Sequence, residues 1–273
     1  MVTMKDEVYV HYKSWEYPRG AINVYDCNNL TEVKDIIPLP KIFEDCMEAC
    51  NESNCVYILH RTAVTYIRVL RIARDDNHQF NVTPFISKVW MPNTNPTLSV
   101  TAAGRLIFSR RQKHKRPVIS FYNANGSLHR EMKLHSHIPS CFSRIIPRPN
   151  GNLVLVSTND QKQTVLTEID MDATIIRQYL SSLDPVTVCK TGMYGGMLLV
   201  DRNNRIELLD SEFNVLDATS PQLQLRKLTH NPSRLHFNCE RNELAAVVFD
   251  IPTHRMYMEI GGQHVAIFRF TEE

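Results

Sequence analysis

The sequence lacks the features that mark several large protein classes. Its 273 residues contain no run of about 18 apolar side chains, which a membrane-spanning helix would need. The first residues, Met1 to Glu7, have no apolar signal-peptide core. A Gly-x-Ser-x-Gly elbow and a glycine-rich phosphate loop are also missing. The sequence therefore gives no indication of a membrane span, a secreted protein, a serine hydrolase or a nucleotide-binding enzyme.

An excess of charge of one sign is absent too. The 31 Lys and Arg residues nearly balance the 29 Asp and Glu residues, and the net charge is +2. Hydrophobic residues make up 43% of the chain, an ordinary globular value that excludes a disordered protein. Because the net charge gives no strong attraction to nucleic acid or anionic lipid, any binding site has to be sought in local features.

The cysteines do not form a recognisable metal motif. Seven cysteines, an odd number, without a signal peptide predict a reduced protein in the cytoplasm. Cys46, Cys50 and Cys55 are close in sequence, but they contain no Cys-x-x-Cys pair and have no second half of a zinc site. We expect them to be small apolar residues near a strand, and we expect no metal and no cofactor.

Short apolar runs recur along the chain with a nearly constant spacing. Successive runs start 44 to 50 residues apart, at Val8, Val56, Leu106, Leu153, Met197 and Leu244. This period is typical of the blades of a β-propeller. A β-sandwich or two small β domains are the alternatives, and six copies argue against them.

A second pattern follows the first. Each run is followed by another apolar strand that ends in Asp or Asn, as at Asp26, Asn123, Asp170 and Asp210. Side chains of Asp and Asn cap hairpin turns. We therefore predict an all-β chain that forms one six-bladed β-propeller over residues 1–273. The provisional blades are 1–41, 42–92, 93–139, 140–183, 184–229 and 230–273, and residues 41–51 are expected to form a short helix or irregular turn.

The two ends of the chain predict an incomplete ring. The first unit begins almost at its Val8 run, so we expect its inner strand to be missing. The last unit ends with residues 264–270, which read as a third strand, so its outer strand is expected to be missing as well. The ring would then lack about two strands of the usual four per blade, and the chain would be a fragment with further sequence upstream.

The fifth unit carries a more specific motif. It has Gly195-Gly196, an apolar strand, Asp201-Arg202, and Asn204-Arg205 before the next strand. This resembles an NHL repeat, and residues 231–235 and 261–268 are similar to the last blade of the propellers that end tripartite-motif (TRIM) proteins. The resemblance implies a six-bladed propeller that binds a protein or RNA. In such relatives, segments upstream of the propeller supply ubiquitin ligase activity, and none of those segments is in this sequence.

One loop concentrates positive charge. The connection between the second and third strands of the third unit contains Arg110, Arg111, Lys113, Lys115 and Arg116. The same loops of the fourth and fifth units contain Lys162, Arg202 and Arg205. In a propeller these loops gather on one face, where Lys and Arg can bind phosphates and release counterions. A solubilising hairpin tip and a nuclear-import signal are the alternatives.

The sequence offers little for catalysis. His135 and His137 are a possible metal pair, but two ligands do not make a site. The predicted inner strands offer Ser143, Arg144 and Thr187, together with His236, and no set of carboxylates. We therefore expect a non-enzymatic binding module, with a protein partner slightly favoured, RNA possible through the basic loop, and no membrane or small-molecule substrate. The alternative is a metal-dependent propeller hydrolase or lyase that uses the central channel.

Overall fold

The protein is an all-β propeller. The computed structural model describes residues 2–12, 20–39, 43–63, 66–90, 96–110, 116–139, 142–181, 183, 185–190, 196–201, 205–217, 232–238, 243–249 and 263–269. These residues form 23 strands and contain no helix, as the sequence predicted for the fold class. Accordingly, no helix within these ranges could cross a membrane.

The strands form six antiparallel sheets, and in each sheet consecutive strands are neighbours. The first sheet has β1 (Val2–Met4), β2 (Glu7–Tyr12), β3 (Ala21–Asp26) and β4 (Asn29–Pro38). The second has β5 (Phe43–Cys50), β6 (Cys55–Ala63), β7 (Tyr66–Arg74) and β8 (Phe80–Trp90). The third has β9 (Thr97–Val100), β10 (Leu106–Arg110), β11 (Val118–Tyr122) and β12 (Leu128–Lys133).

The remaining sheets follow the same order. The fourth has β13 (Arg144–Pro147), β14 (Leu153–Thr158), β15 (Thr164–Ile169) and β16 (Ile175–Leu180). The fifth has β17 (Pro185–Lys190), β18 (Met197–Asp201), β19 (Ile206–Leu209) and β20 (Val215–Asp217). The sixth has β21 (Pro232–Asn238), β22 (Glu243–Phe249) and β23 (Gln263–Arg269). Five four-stranded blades are thus present, together with one sheet of three described strands. The predicted blade boundaries fall in the connections between sheets and stay predictions.

The apolar runs of the sequence are the second strands of the sheets. In β14 and β18, four consecutive apolar residues from Leu153 and from Met197 are buried, and a buried polar residue, Ser157 or Asp201, follows each run. A strand that is covered on both faces favours a continuous apolar run, so it shows no alternation. The outer strand β16 has one face in solvent, and its residues alternate between half-buried and exposed.

The hydrophobic core lies between neighbouring sheets. One cluster joins the first and second sheets through side chains such as Tyr9 and Ile72, and a second joins the next pair through Tyr57 and Phe108. Two further clusters join the third sheet to the fourth and the fourth to the fifth. Each fully buried Leu, Ile or Phe contributes about 1.5–3 kcal/mol. The packing of sheet against sheet therefore holds the ring together.

The first strand of each sheet lies on the inside of the ring. β1 contacts β5, β9 contacts both β5 and β13, and β17 contacts β21. β1 also contacts β21 of the last sheet, so these inner strands meet around the central axis.

Two predictions about this inner ring were wrong. The first sheet does have an inner strand, because β1 forms a short ladder with β2 in which Val2 pairs with Tyr9. The segment predicted as a short helix or turn is mostly β5, whose Cys50 pairs with Cys55 of β6. Both errors have one physical cause. β1 is short and β5 is partly polar, and both also pack against inner strands that are distant in sequence, β1 against β5 and β21 and β5 against β9.

The predicted turn caps are confirmed at several hairpins. In the turn between β15 and β16, Asp170 Oδ1 accepts hydrogen bonds from the backbone N–H groups of Asp172 and Thr174, at 2.9 and 2.8 Å. In the turn between β19 and β20, Asp210 Oδ1 accepts hydrogen bonds from the backbone N–H groups of Glu212 and Asn214, at 2.7 and 2.9 Å. These carboxylates satisfy backbone donors that the ladder leaves unpaired.

Candidate functional site

The strand order places two kinds of loop at opposite ends of the propeller. Hairpins that join second to third strands lie at the same end as the connections between sheets. We call this end the loop face. The hairpin 158–164 is described throughout, whereas only residues 110 and 116–118 of the β10–β11 connection and residues 201, 205 and 206 of the β18–β19 connection are described. The opposite end, the turn face, has the hairpins that join first to second and third to fourth strands, including 51–54, 75–79, 101–105, 170–174 and 210–214.

The predicted cations belong to hairpins of the loop face. Arg110 is the last residue of β10, and Arg116 is exposed just before β11. Lys162 is exposed at the tip of the β14–β15 hairpin. Arg111, Lys113, Lys115 and Arg202 lie outside the described residues. The topology thus puts the hairpins of three consecutive sheets at one end, although the side chains of five predicted residues, those of Arg110, Arg111, Lys113, Lys115 and Arg202, are not described.

The tip that carries Lys162 is held rigidly. Its backbone is in the left-handed region, with φ of 63°, and its N–H donates to the carbonyl of Asn159 at 3.0 Å. Asn159 Oδ1 accepts from the N–H groups of Gln161 and Gln163, at 3.0 and 2.8 Å. The turn therefore fixes the backbone while Lys162 extends into solvent.

Arg205 is different because its guanidinium already has a partner. The Arg205 side chain donates from Nε to Asp201 Oδ2 at 2.6 Å, and the Arg205 backbone N–H donates to Asp201 Oδ1 at 2.8 Å. Asp201 is 1% exposed, whereas the Arg205 side chain is 53% exposed. Arg205 thus neutralises a buried carboxylate and closes the β18–β19 hairpin, and it offers less charge to a ligand than Lys162 or Arg116.

The turn face carries the opposite charge. Its described hairpins expose six carboxylates, those of Asp6, Glu52, Asp75, Asp76, Asp172 and Glu212. They expose two cations, Lys5 and Arg105. The described hairpins of the loop face expose three cations, Arg116, Lys162 and Arg205, and one carboxylate, Asp160. Among the described residues, the exposed hairpin charge is therefore mainly positive at the loop face and mainly negative at the turn face.

A pocket of about 260 Å³ opens at the turn face between the first and second sheets. Glu7 Oε1 binds Lys34 Nζ at 2.6 Å and Arg74 Nη2 at 2.9 Å. Arg74 also binds Asp35 at 2.9 Å, and its guanidinium lies 3.9 Å from the centre of the Phe80 ring. These charges already bind one another, so their role is to join the two sheets.

The same network shifts the pKa of Glu7. Burial by itself would raise the pKa of this carboxyl, but hydrogen bonds from Lys34 and Tyr9, together with the charge and hydrogen bond of Arg74, outweigh burial and lower it. Burial and the bond to Glu7 raise the pKa of the Tyr9 hydroxyl above its usual value. Tyr9 therefore stays a hydrogen-bond donor, and its hydroxyl lies 2.6 Å from Glu7 Oε2.

The central channel contains an ion pair that sequence reasoning missed. Arg144 of β13 donates from Nη1 to the carbonyl of Val188 on β17 at 2.7 Å, and its Nη2 lies 3.5 Å from Glu48 Oε1 on β5. Glu48 is thus a carboxylate of an inner strand. The spacing of the repeat could have revealed Glu48. The inner strands β9 and β13 each start nine residues before the apolar run of the following strand. Nine residues before the run at Val56 is Met47, so an inner strand that includes Glu48 is expected there.

The described residues give no sign of a metal centre. They contain no group of three or more His, Cys, Asp or Glu side chains that could hold an ion. His135 and His137 are exposed in the connection between β12 and β13, and their rings stack nearly parallel with centres 5.5 Å apart. The side chains of Thr187 and His236 are not among those described.

The comparisons with known proteins identify the fold alone. The chain matches no known family model and no curated protein. Among solved structures, it is similar to a protein of unknown function from Bacteroides caccae, with a TM-score of 0.60 and 14% identity over 84% of this chain and 79% of that one. It is also similar to TolB from Acinetobacter baumannii, with a TM-score of 0.54 and 15% identity over 78% of this chain. The match spans about half of the TolB chain, 52% of its length.

Proposed function

We propose that this chain is a six-bladed, NHL-like propeller that acts as a non-enzymatic binding module and presents its loop face to a protein or RNA partner. The single observation that carries the proposal is the difference in charge between the two ends: the described loop-face hairpins expose three cations and one carboxylate, and the described turn-face hairpins expose six carboxylates and two cations. A ligand with many negative charges, whether a nucleic-acid backbone or an acidic protein segment, would be attracted to one end and repelled by the other. A cytoplasmic location stays a prediction.

The blade count rests on the last sheet. β21, β22 and β23 form three antiparallel strands, and β21 lies against both β17 and β1. A blade in that position would fill the place between the fifth sheet and the first. We therefore count the three-stranded sheet as the sixth blade.

The NHL-like assignment is supported by a physical role for the motif of the fifth blade. Asp201 and Arg205 are the acidic and basic positions that carry the resemblance, and they bind each other across the β18–β19 hairpin. A buried Asp at the end of one strand needs such a donor close by. The same Asp–Arg pair explains why the motif would be retained wherever this hairpin is built.

RNA binding tests the proposal first. Labelled RNA pools, single-stranded and hairpin, are titrated against the protein at two salt concentrations. The main variant changes Arg110, Arg111, Lys113, Lys115 and Arg116 to Ala. Each cation that contacts a phosphate adds about 1 to the slope of log affinity against log salt, so the variant should bind more weakly and with a smaller slope.

A matched pair of variants identifies the face. Arg116→Ala with Lys162→Asn removes two cations from the loop face, and Arg105→Ala with Lys5→Asn removes two from the turn face. Lys162 and Lys5 both have positive φ, 63° and 51°, and Asn tolerates that backbone. We expect only the first variant to weaken binding.

A protein partner is tested with the same variants. Tagged wild-type protein and both matched variants are incubated with cell extract, and the captured proteins are compared. A protein retained by the wild type and the turn-face variant but lost by the loop-face variant would support the binding module. Equal capture and equal RNA affinity for all forms of the protein would contradict the proposal.

A further inference from the structure

Two cysteines face each other across a tight hairpin of the turn face. Cys50 is the last residue of β5, Cys55 is the first residue of β6, and the two are register partners. The turn between them is closed by the N–H of Asn54, which donates to the carbonyl of Asn51 at 3.2 Å. Both cysteines are free thiols in this structure.

The register brings these sulfurs within reach of a covalent bond. Directly opposed residues of an antiparallel pair have Cα atoms about 4.5–5.5 Å apart. This range lies within the span of about 4.4–6.8 Å that a disulfide requires. The two side chains are also close enough for each to shift the pKa of the other, that of Cys50 downward and that of Cys55 upward.

Cys46 cannot take the place of either partner. It lies four residues before Cys50 on the same strand, which puts their Cα atoms about 13 Å apart. A disulfide cannot form across more than about 7 Å without movement of the backbone. The geometry therefore selects one pair among the neighbouring cysteines.

The surroundings of Cys50 and Cys55 shift the pKa values of the two thiols in opposite directions. The hydrogen bond from the Cys55 thiol, helped by the N–H of Ser53 at 3.4 Å and opposed by burial, lowers the pKa of Cys50 to about 6. The Cys50 side chain and burial raise the pKa of Cys55 above its usual value and outweigh Arg71 and Tyr57, which lower it. The charge of Glu52 acts on Cys50 in the opposite direction to Cys55, because it raises the pKa of Cys50. Cys50 is therefore the nucleophile, and Cys55 keeps its proton.

Burial limits which oxidant can reach the pair. Cys50 is 2% exposed and Cys55 is fully buried. A bulky disulfide would have to displace the hairpin, whereas hydrogen peroxide is little larger than water.

We infer that Cys50 and Cys55 form a dithiol that a small peroxide oxidises to an intramolecular disulfide. The Cys50 thiolate attacks one oxygen of hydrogen peroxide, the O–O bond breaks, and hydroxide leaves to give a sulfenic acid at Cys50. Cys55 sulfur then attacks the Cys50 sulfur, and the sulfenic oxygen leaves as water with the thiol proton. Two thiols and one peroxide thus give one disulfide and two waters. This chemistry is independent of the proposed binding function.

The disulfide would fix the packing of this hairpin against its neighbour. Glu52, in the turn between the two cysteines, lies beside Gly104 of the third sheet, and a Cβ added at Gly104 would come within 3.3 Å of Glu52 Cβ. A covalent tie between Cys50 and Cys55 would restrict the turn at this contact. The site is therefore placed to stiffen the turn face between the second and third sheets.

The test treats the native protein with hydrogen peroxide, blocks the remaining thiols with N-ethylmaleimide and maps the peptides by mass spectrometry. We expect a Cys50–Cys55 link that dithiothreitol removes, that is absent from Cys50→Ser and Cys55→Ser, and that is retained in Cys27→Ser. Because the thiolate is the reactive form, the rate should fall about tenfold between pH 7 and pH 5.

The peptide map of the peroxide-treated wild-type protein tests the inference even where a serine variant fails to fold. Over-oxidation of Cys50 without a link, a link to Cys46 instead, or thiols that stay unmodified until the protein is unfolded would each overturn the inference. A rate that does not change between pH 7 and pH 5 would overturn the role of Cys50 as nucleophile.

Discussion

At the scale of single residues, Glu7 is a carboxylate with three partners in the pocket between the first two sheets. It binds Lys34, Arg74 and the hydroxyl of Tyr9 while its side chain is only 15% exposed. A carboxylate in such a place is stable only as long as its donors remain, because removal of water from a charge is costly. Glu7 therefore links two sheets and also makes that link sensitive to acid.

We predict that Glu7→Gln lowers the free energy of unfolding by about 1–2 kcal/mol at pH 7, because hydrogen bonds to a charged group are lost. Since folding lowers the pKa of Glu7 below its reference value of 4.5, its contribution is present above that pH and disappears as the pH falls further. The difference between wild type and variant should therefore shrink at pH 3–4. Urea unfolding at pH 7 and pH 4 measures this.

A matched control for Glu7 lies in the same sheet. Glu32 is exposed on β4, so Glu32→Gln should change stability by less than about 0.5 kcal/mol at either pH. If both variants lost the same stability, or if the Glu7→Gln deficit grew on acidification, the pairing described here would be wrong.

At the scale of structural elements, the hairpin turns share a left-handed residue near their end. The φ angles of His78, Ala173 and Phe213 are 63°, 63° and 69°. Gly126 and Gly151 take the same place in other turns, with φ of 81° and 89°. The turn type therefore demands a backbone that glycine adopts freely, and non-glycine residues accept a cost of about 1–2 kcal/mol there.

A comparison of Gly126 and Gly151 distinguishes the stability cost of backbone strain from the cost of close packing. A Cβ at Gly126 would lie 2.7 Å from the carbonyl oxygen of Phe85 on the neighbouring sheet, whereas a Cβ at Gly151 would meet nothing within 4 Å. We predict that Gly151→Ala costs about 1–2 kcal/mol from backbone strain alone. Gly126→Ala should cost about 1–3 kcal/mol more because the sheets must move apart. Chemical denaturation of both variants tests this, and equal losses would show that the turn is not packed against Phe85.

At the scale of the whole molecule, Arg144 joins three sheets at the central channel. It belongs to the fourth sheet, donates to the carbonyl of Val188 in the fifth, and pairs with Glu48 in the second. Glu48 and Arg144 are 96 residues apart in sequence. A contact of this kind exists only when the second, fourth and fifth sheets are arranged around the same axis, so it reports on their assembly.

We predict that Arg144→Leu lowers the free energy of unfolding by about 1–3 kcal/mol, through loss of both bonds. Each kcal/mol should lower the melting temperature by about 2–4 °C in a chain of this size. Glu48→Gln should cost less, because Arg144 keeps its bond to Val188 and an amide oxygen still accepts. Thermal unfolding measures both, with Arg105→Leu on the exposed turn face as the control. A larger loss for Glu48→Gln than for Arg144→Leu would contradict this order.

The separation of charge is also a property of the whole molecule. The local sequence shows one basic loop, at residues 110–116, and acidic turn residues scattered through the chain. Only the antiparallel meander sends the basic hairpins to one end and the acidic turns to the other. The sequence predicts the candidate site as a set of residues on one face, and that set stays a prediction. The sequence did not predict the opposite charge of the turn face. It also did not predict that Arg205 pairs with Asp201.

The sequence by itself determined the architecture, because strands buried on both faces must be apolar throughout and their turns need Asp, Asn or Gly at fixed places. These demands are local, and they repeat every 44 to 50 residues. The tertiary structure alone decided that residues 2–4 form the inner strand β1, that Glu48 meets Arg144, and which cysteines face each other. Those outcomes depend on neighbours that register and ring closure bring together, and such neighbours leave no periodic pattern along the chain.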